Sequence, residues 1–155
     1  MNRVWVALLG LAACVEGPNG VPSNLDSCSS GTMWNGGEGS TMRPGDDCIA
    51  CHARGEGPDY TVAGTVMGAS DDQTNCDGAD GVTVRITDAN GAVTELVTNG
   101  AGNFYTRDHI ATPYTVELER DGATSQMVSA QTETDCMVCH TQDGANGAPG
   151  RIVAP

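Results

Sequence analysis

The chain contains no lysine, and its seven basic residues, all arginine, face 20 aspartates and glutamates. The formal net charge is therefore −13 at pH 7. A protein of this charge is repelled by nucleic-acid phosphates and by anionic lipid head groups, so we expect no nucleic acid among its partners. The acidic surface suits a soluble domain that docks on a basic partner.

Aromatic residues and long apolar runs are also scarce. Only 4% of the 155 residues are aromatic, so the side chains alone supply a thin apolar core, and covalent cross-links or a bound group would add stability. The apolar run from Val4 to Gly10 is far too short to span a bilayer.

The first 15 residues have the pattern of an export signal. Arg3 precedes the apolar run, which ends in Leu11-Ala12-Ala13-Cys14, and small residues before a cysteine are typical of a cleavage site. The segment resembles the bacterial lipobox, which implies removal of residues 1–13 and acylation of Cys14 as a membrane anchor. The residue after Cys14 is Val15 and not an aspartate. By resemblance to the sorting of bacterial lipoproteins, this implies transport to the outer membrane. The alternative is a buried segment with an incidental cysteine.

Histidine is rare, with three in the chain, and two of them directly follow a Cys-x-x-Cys pair. The two motifs are Cys48-Ile49-Ala50-Cys51-His52 and Cys136-Met137-Val138-Cys139-His140. This pattern is the attachment signature of c-type haem. Each pair of thiols adds to the haem vinyl groups, and the adjacent histidine takes an axial position on the iron. The sequence therefore predicts two covalently bound haems.

Other uses of the cysteines stay open. Two Cys-x-x-Cys pairs can hold a zinc ion through four thiolates, or can be oxidised to disulfides. A thiol–disulfide exchange site expects its pair in a βαβ setting, which this chain lacks. Neither zinc nor a disulfide requires the two histidines.

Two irons offer four axial positions, of which His52 and His140 fill two. The remaining histidine, His109, is a candidate for a third, from its own chain or from a neighbouring subunit of a homo-oligomer. An exposed turn histidine without a ligand is the alternative reading of His109.

A methionine sulfur is the other candidate for the sixth ligand of an iron. Met137 lies within a haem motif, and Met67 and Met127 fit the core of predicted strands. We therefore favour Met33 or Met42, which lie in the Gly-rich and Ser-rich N-terminal segment. Cys28 and Cys76 remain once the anchor and the motifs are assigned, and an exported protein would join them in a disulfide.

The composition divides the chain into four parts. Residues 1–13 form the signal peptide, and residues 14–59 form the acylated cysteine, a flexible tether and the first haem segment. In this segment we expect Asp46 or Asp47 to cap a short helix that carries Cys48 to His52. Residues 60–130 alternate apolar and polar side chains, with hairpin turn signals at Asn90-Gly91 and Asp121-Gly122. This pattern predicts six or seven antiparallel strands in a sandwich. Residues 131–155 hold the second haem motif and a tail expected to lie over a haem, with Arg151 as a propionate partner. A mobile C-terminus is the alternative for this tail.

The β segment resembles a known scaffold. Gly81-Val82-Thr83-Val84-Arg85-Ile86-Thr87-Asp88-Ala89-Asn90-Gly91, Thr98-Asn99-Gly100-Ala101-Gly102-Asn103-Phe104 and Pro113-Tyr114-Thr115-Val116 are similar to the carboxypeptidase-regulatory-like, or transthyretin-like, β-sandwich. The resemblance implies a mainly β, immunoglobulin- or transthyretin-like fold and says little about function. Haem motifs flanking such a sandwich depart from the family pattern.

These observations predict an exported dihaem c-type cytochrome, lipid-anchored in the periplasm or at the cell surface. It would pass single electrons between redox protein partners or to an extracellular acceptor, without acting as an enzyme. One alternative is a non-redox surface module with structural cysteines, in disulfides or bound to zinc. The other is a haem enzyme with an open iron site.

Overall fold

The computed structural model describes residues 39–68 and 78–155. The predicted signal peptide, the lipid anchor at Cys14, the candidate ligand Met33 and the predicted disulfide between Cys28 and Cys76 lie outside these residues.

The described part of the chain is mainly β, with six antiparallel strands in two sheets. The strands are β1 (Val62–Thr65), β2 (Thr83–Thr87), β3 (Val93–Val97), β4 (Asn103–Thr106), β5 (Thr115–Arg120) and β6 (Ala123–Gln126). β1 pairs with β4, and the larger sheet has the order β3-β2-β5-β6. The mainly β, sandwich-type fold predicted from the sequence is confirmed.

Period-two alternation builds the larger sheet. Val84 and Ile86 on β2 are fully buried, while Arg85 between them is half-buried and forms ion pairs with Glu95 and Glu117 on the neighbouring strands. Aliphatic side chains at alternate positions thus face the core, and the charged face is turned to solvent.

The hairpin turns form at the predicted dipeptides. Asp121 and Gly122, between β5 and β6, have φ values of 53° and 83°, the conformation that a two-residue type I′ turn requires. Between β2 and β3, the Asp88 carboxylate accepts hydrogen bonds from the backbone N–H groups of Asn90 and Ala92 at 2.8 and 2.9 Å.

β1 differs from the predicted alternation because it is buried on both faces. One face belongs to the core through Val62. On the other, Thr65 accepts a hydrogen bond from the backbone N–H of Gly45 at 2.9 Å and donates one to Asn103 at 2.7 Å. The segment before the first motif therefore covers β1, and this coverage comes from a distant part of the chain.

Helical structure in the described residues is limited to short turns at the two motifs. They are α1 (Cys48–Cys51), a π-helical turn over His52–Glu56 that continues it, and α2 (Cys136–Cys139). The tail is held by Met67, whose N–H donates to the Ile152 carbonyl at 2.8 Å and whose carbonyl accepts from the Ala154 N–H at 2.9 Å.

Candidate functional site

Each Cys-x-x-Cys pair lies on one helical turn that is capped by the aspartate directly before it. The Asp47 carboxylate accepts a hydrogen bond from the Ala50 N–H at 2.8 Å, as the sequence predicted for Asp46 or Asp47. Asp135 plays the same part for α2 by accepting from the Met137 N–H at 3.1 Å. Such caps satisfy backbone donors that a short helix leaves open. The role of Asp135 was missed, although an aspartate precedes both motifs.

The two motifs are adjacent in space, although they are far apart in sequence. The Asp135 carboxylate accepts a hydrogen bond from the Ile49 N–H at 3.2 Å, across 86 positions of sequence. Asp135 also shares a hydrogen bond with the Asp47 carboxyl, and these side chains are only 4% and 5% exposed. The caps of the two motif helices thus form one buried carboxyl pair.

Burial changes the titration of Asp135. Desolvation first, and then the hydrogen bond and charge of Asp47, raise the pKa of Asp135 to about 8. A buried carboxyl beside a second carboxyl ionises less readily than one in water, so Asp135 keeps its proton close to neutral pH.

The thiols of Cys48 and Cys136 are held in the protonated form. Burial, followed by the charges of Asp135, Asp46 and Asp47, raises the pKa of Cys48 to about 12. Burial and the charge of Asp135 raise the pKa of Cys136 as well. Nucleophilic thiol–disulfide exchange needs a thiolate, so these environments do not suit that alternative.

Cys51 differs from the other described cysteines. It is disulfide-bonded, whereas Cys48, Cys136 and Cys139 are free. A sulfur in a disulfide carries no thiol to add to a vinyl group, so haem attachment at the first motif requires reduction of this bond.

The two motif histidines make matching hydrogen bonds. The His52 Nδ1–H donates to the Pro58 carbonyl at 2.9 Å, and the His140 Nδ1–H donates to the Gly150 carbonyl at 2.9 Å. A carbonyl oxygen can only accept, so Nδ1 carries the proton and Nε2 keeps its lone pair. This tautomer, fixed by a backbone carbonyl, is the one with which histidine ligates a metal through Nε2.

The ring of His52 is enclosed by its neighbours. Its centroid lies 4.8 Å from that of Tyr60, which stacks on Tyr105 at 4.5 Å. A Cβ built on Gly57 would lie 2.5 Å from His52 Nδ1. Glycine at this position therefore allows the backbone to pass close to the imidazole.

A cavity of about 360 Å³ lies beside the second motif. The second motif lines it through Cys136, Cys139 and His140. The tail over residues 146–149 and 151–153 closes part of it. Core side chains, among them Phe104 and Leu118, form its apolar wall. The volume falls within the range of ligand sites, about 300–1,000 Å³. These features fit a haem. The two thiols would face its edge, the oriented imidazole its iron, and the apolar wall its face.

Segments from the sandwich fix the approach to α2. Tyr114 pairs through its backbone with Gln131, and its Oη donates to the Glu133 carbonyl. Arg151, predicted as a propionate partner, lines the cavity.

The predicted distal ligands lie at different places. His109 is exposed and does not line the cavity. Met42 is half-buried, its carbonyl accepts from the Asn103 amide at 2.7 Å, and it does not line the cavity either. Met127, which the sequence analysis placed in the strand core, does line it.

In residues 39–68 and 78–155, no group of three or more His, Cys, Asp or Glu side chains is arranged to hold a metal ion. Within the same ranges, no helix has the length and apolar character needed to cross a membrane.

Comparison with known proteins found no matching family model, curated protein or solved structure. The resemblance of residues 60–130 to the carboxypeptidase-regulatory-like family therefore stays a prediction from the sequence pattern.

Proposed function

We propose that this protein is an exported dihaem c-type cytochrome that transfers single electrons. The observation that carries the proposal is the matched pair of Nδ1 hydrogen bonds, which leaves Nε2 of both His52 and His140 available as an iron ligand. Two unrelated segments supply the acceptor carbonyls, at Pro58 and at Gly150. A structural Cys-x-x-Cys pair has no need for either arrangement.

The chain's own residues would bind and orient the prosthetic groups. Cys136 and Cys139 would form the thioether bonds of one haem, and His140 would ligate its iron. Cys48 and Cys51 would do the same for the other after reduction of the Cys51 disulfide, with His52 as the ligand. When bound, haem iron supplies a one-electron ferric–ferrous couple.

The apolar wall around the second motif supports this role because it limits access of water to the group that it encloses. The hydrogen bond from the Ile49 N–H in α1 to Asp135, the cap of α2, supports electron exchange between two haems because it places the two motifs next to each other. From the sequence, we further propose that Cys14 is acylated and anchors the protein to the outer membrane after export. Its partners would be redox proteins or an external electron acceptor.

Removal of one motif at a time tests the proposal. The protein is exported in a host that performs cytochrome c maturation, and covalent haem is counted by the pyridine haemochrome spectrum. We expect two haems per chain in the wild type. We expect one in the double variant Cys48→Ser/Cys51→Ser and one in Cys136→Ser/Cys139→Ser.

Cys28→Ser is the matched control, since it removes a cysteine outside the motifs and should keep both haems. A colourless wild-type protein would contradict the proposal and favour a surface module with structural cysteines.

A further inference from the structure

We infer that Met127 is the sixth ligand of the iron held at the second motif. The inference rests on the proposed function and deepens it, since it assigns a ligand to one particular iron. Met127 lines the same cavity as Cys136, Cys139 and His140. Its thioether sulfur is a soft, neutral donor suited to haem iron.

The cavity selects Met127 among the described candidates. In residues 39–68 and 78–155, the side chains with an imidazole or thioether outside the two motif histidines are those of His109, Met42, Met67, Met127 and Met137. Among these, only Met127 lines the cavity. Met67 and Met137 are 1% and 2% exposed, so neither is open to an incoming group.

The backbone holds Met127 at this position. It directly follows β6, and its N–H donates to the Val116 carbonyl on β5 at 2.9 Å. The side chain is half-buried and packs against the core cluster. An anchored backbone with a flexible, unbranched side chain allows the sulfur to adjust to a bound iron at little cost.

The chemical consequence concerns function. A thioether in the sixth position prevents small ligands from binding and favours the reduced iron, which raises its potential relative to bis-histidine ligation. The second iron is then an electron-transfer centre, and the haem-enzyme alternative does not apply to it.

The test is Met127→Leu in the haem-loaded protein, with Met67→Leu, at a fully buried methionine, as the matched control. Leucine keeps the apolar volume and removes the sulfur. We expect two covalent haems to remain, and the sulfur-to-iron charge-transfer band of the ferric protein to disappear. The reduced variant should bind one more carbon monoxide per chain than the wild type, and one haem should titrate at a lower potential. Met67→Leu should leave all three readouts unchanged.

A second variant covers poor accumulation of the first. Met127→His keeps a ligating side chain, so it should restore a six-coordinate iron without the sulfur band and with a low potential.

The failures of the two proposals are distinguishable. Two haems in Met127→Leu with an unchanged band and no added carbon monoxide binding would overturn the ligand assignment alone. A wild type without covalent haem would overturn this assignment and the proposed function together.

Discussion

At the scale of single residues, the orientation of the motif histidines is the most informative feature of the molecule. His52 and His140 belong to separate segments, yet each donates from Nδ1 to a carbonyl at 2.9 Å. The acceptors lie six and ten positions further along the chain. Each motif therefore includes a following loop that fixes the tautomer of its histidine.

Gly57→Ala tests the orientation of His52. The new Cβ would lie 2.5 Å from the Nδ1 atom, so the ring must move and its hydrogen bond to Pro58 must weaken. We expect the free energy of unfolding to fall by about 1–3 kcal/mol. We also expect the spectrum of the first haem to change while that of the second does not.

Gly100→Ala is the control, because a Cβ there meets nothing within 4 Å. Denaturant unfolding and the haem spectrum of both variants are the measurements. Equal stability of Gly57→Ala and Gly100→Ala would contradict the crowded position of His52.

Residue patterns predict the cysteine anchors of the haems, which stay a prediction, and they predicted the cap at Asp47. Both signals are local in sequence. Cys-x-x-Cys-His is contiguous, and an aspartate before a helical turn is a known cap. The carbonyl partners of the histidines and the cavity-lining position of Met127 were not predicted. They depend on the path of the chain after the motifs and after β6.

At the scale of elements, the two motif helices meet through their capping aspartates. Asp135 caps α2 and also accepts from the Ile49 N–H in α1. One carboxyl thus serves both helices, and its protonation state affects how they are joined.

Asp135→Asn tests this junction through the pH dependence of stability. The pKa of Asp135 is raised from 3.8 to about 8 on folding, by burial and by Asp47. The folded state therefore binds more protons than the unfolded state between these values, and the contribution of Asp135 to stability falls as pH rises through this window. An amide does not titrate, so the variant should gain stability relative to the wild type from pH 4 to pH 8, by an amount on the order of a few kcal/mol.

The matched control is Asp108→Asn, at an exposed loop position. Its stability curve should run parallel to that of the wild type in urea titrations across the same pH range. Parallel curves for Asp135→Asn as well would contradict the raised pKa of Asp135 in the folded state.

The hairpin turns could be predicted from the sequence, but the burial of β1 could not. The hairpins formed at the predicted Asn90-Gly91 and Asp121-Gly122 turns, because turn chemistry is fixed by two residues. The alternation predicted for β1 was wrong as to its outer face. The segment of Gly45 covers that face, and a pattern within β1 does not report what lies upon it.

At the scale of the whole molecule, the fold brings two distant motifs together on one small sandwich. β1 lies between the core and the first motif segment, and a Cβ on Gly64 in β1 would lie 2.9 Å from the Cys136 Cβ. A single strand therefore contacts both candidate haem segments. The sequence predicted two motifs but not their proximity, because no local pattern encodes a contact across 86 positions.

The net charge of −13 gives a prediction for electron exchange. A strongly acidic protein attracts cationic redox reagents, and salt screens this attraction over about 10 Å at 0.1 M. In stopped-flow experiments, the rate with hexaammineruthenium should fall as ionic strength rises, and the rate with ferricyanide should rise. The same salt dependence for both reagents would contradict electrostatic steering by the acidic surface.

The most direct test of the central claim is the intact mass of the exported chain under denaturing conditions. Covalent haem survives unfolding, whereas haem held only by its iron is lost. We predict an intact mass that exceeds the mass of the polypeptide by two haem groups. The denatured chain should retain the haem absorbance. A chain at the mass of the polypeptide alone, without haem absorbance, would contradict it.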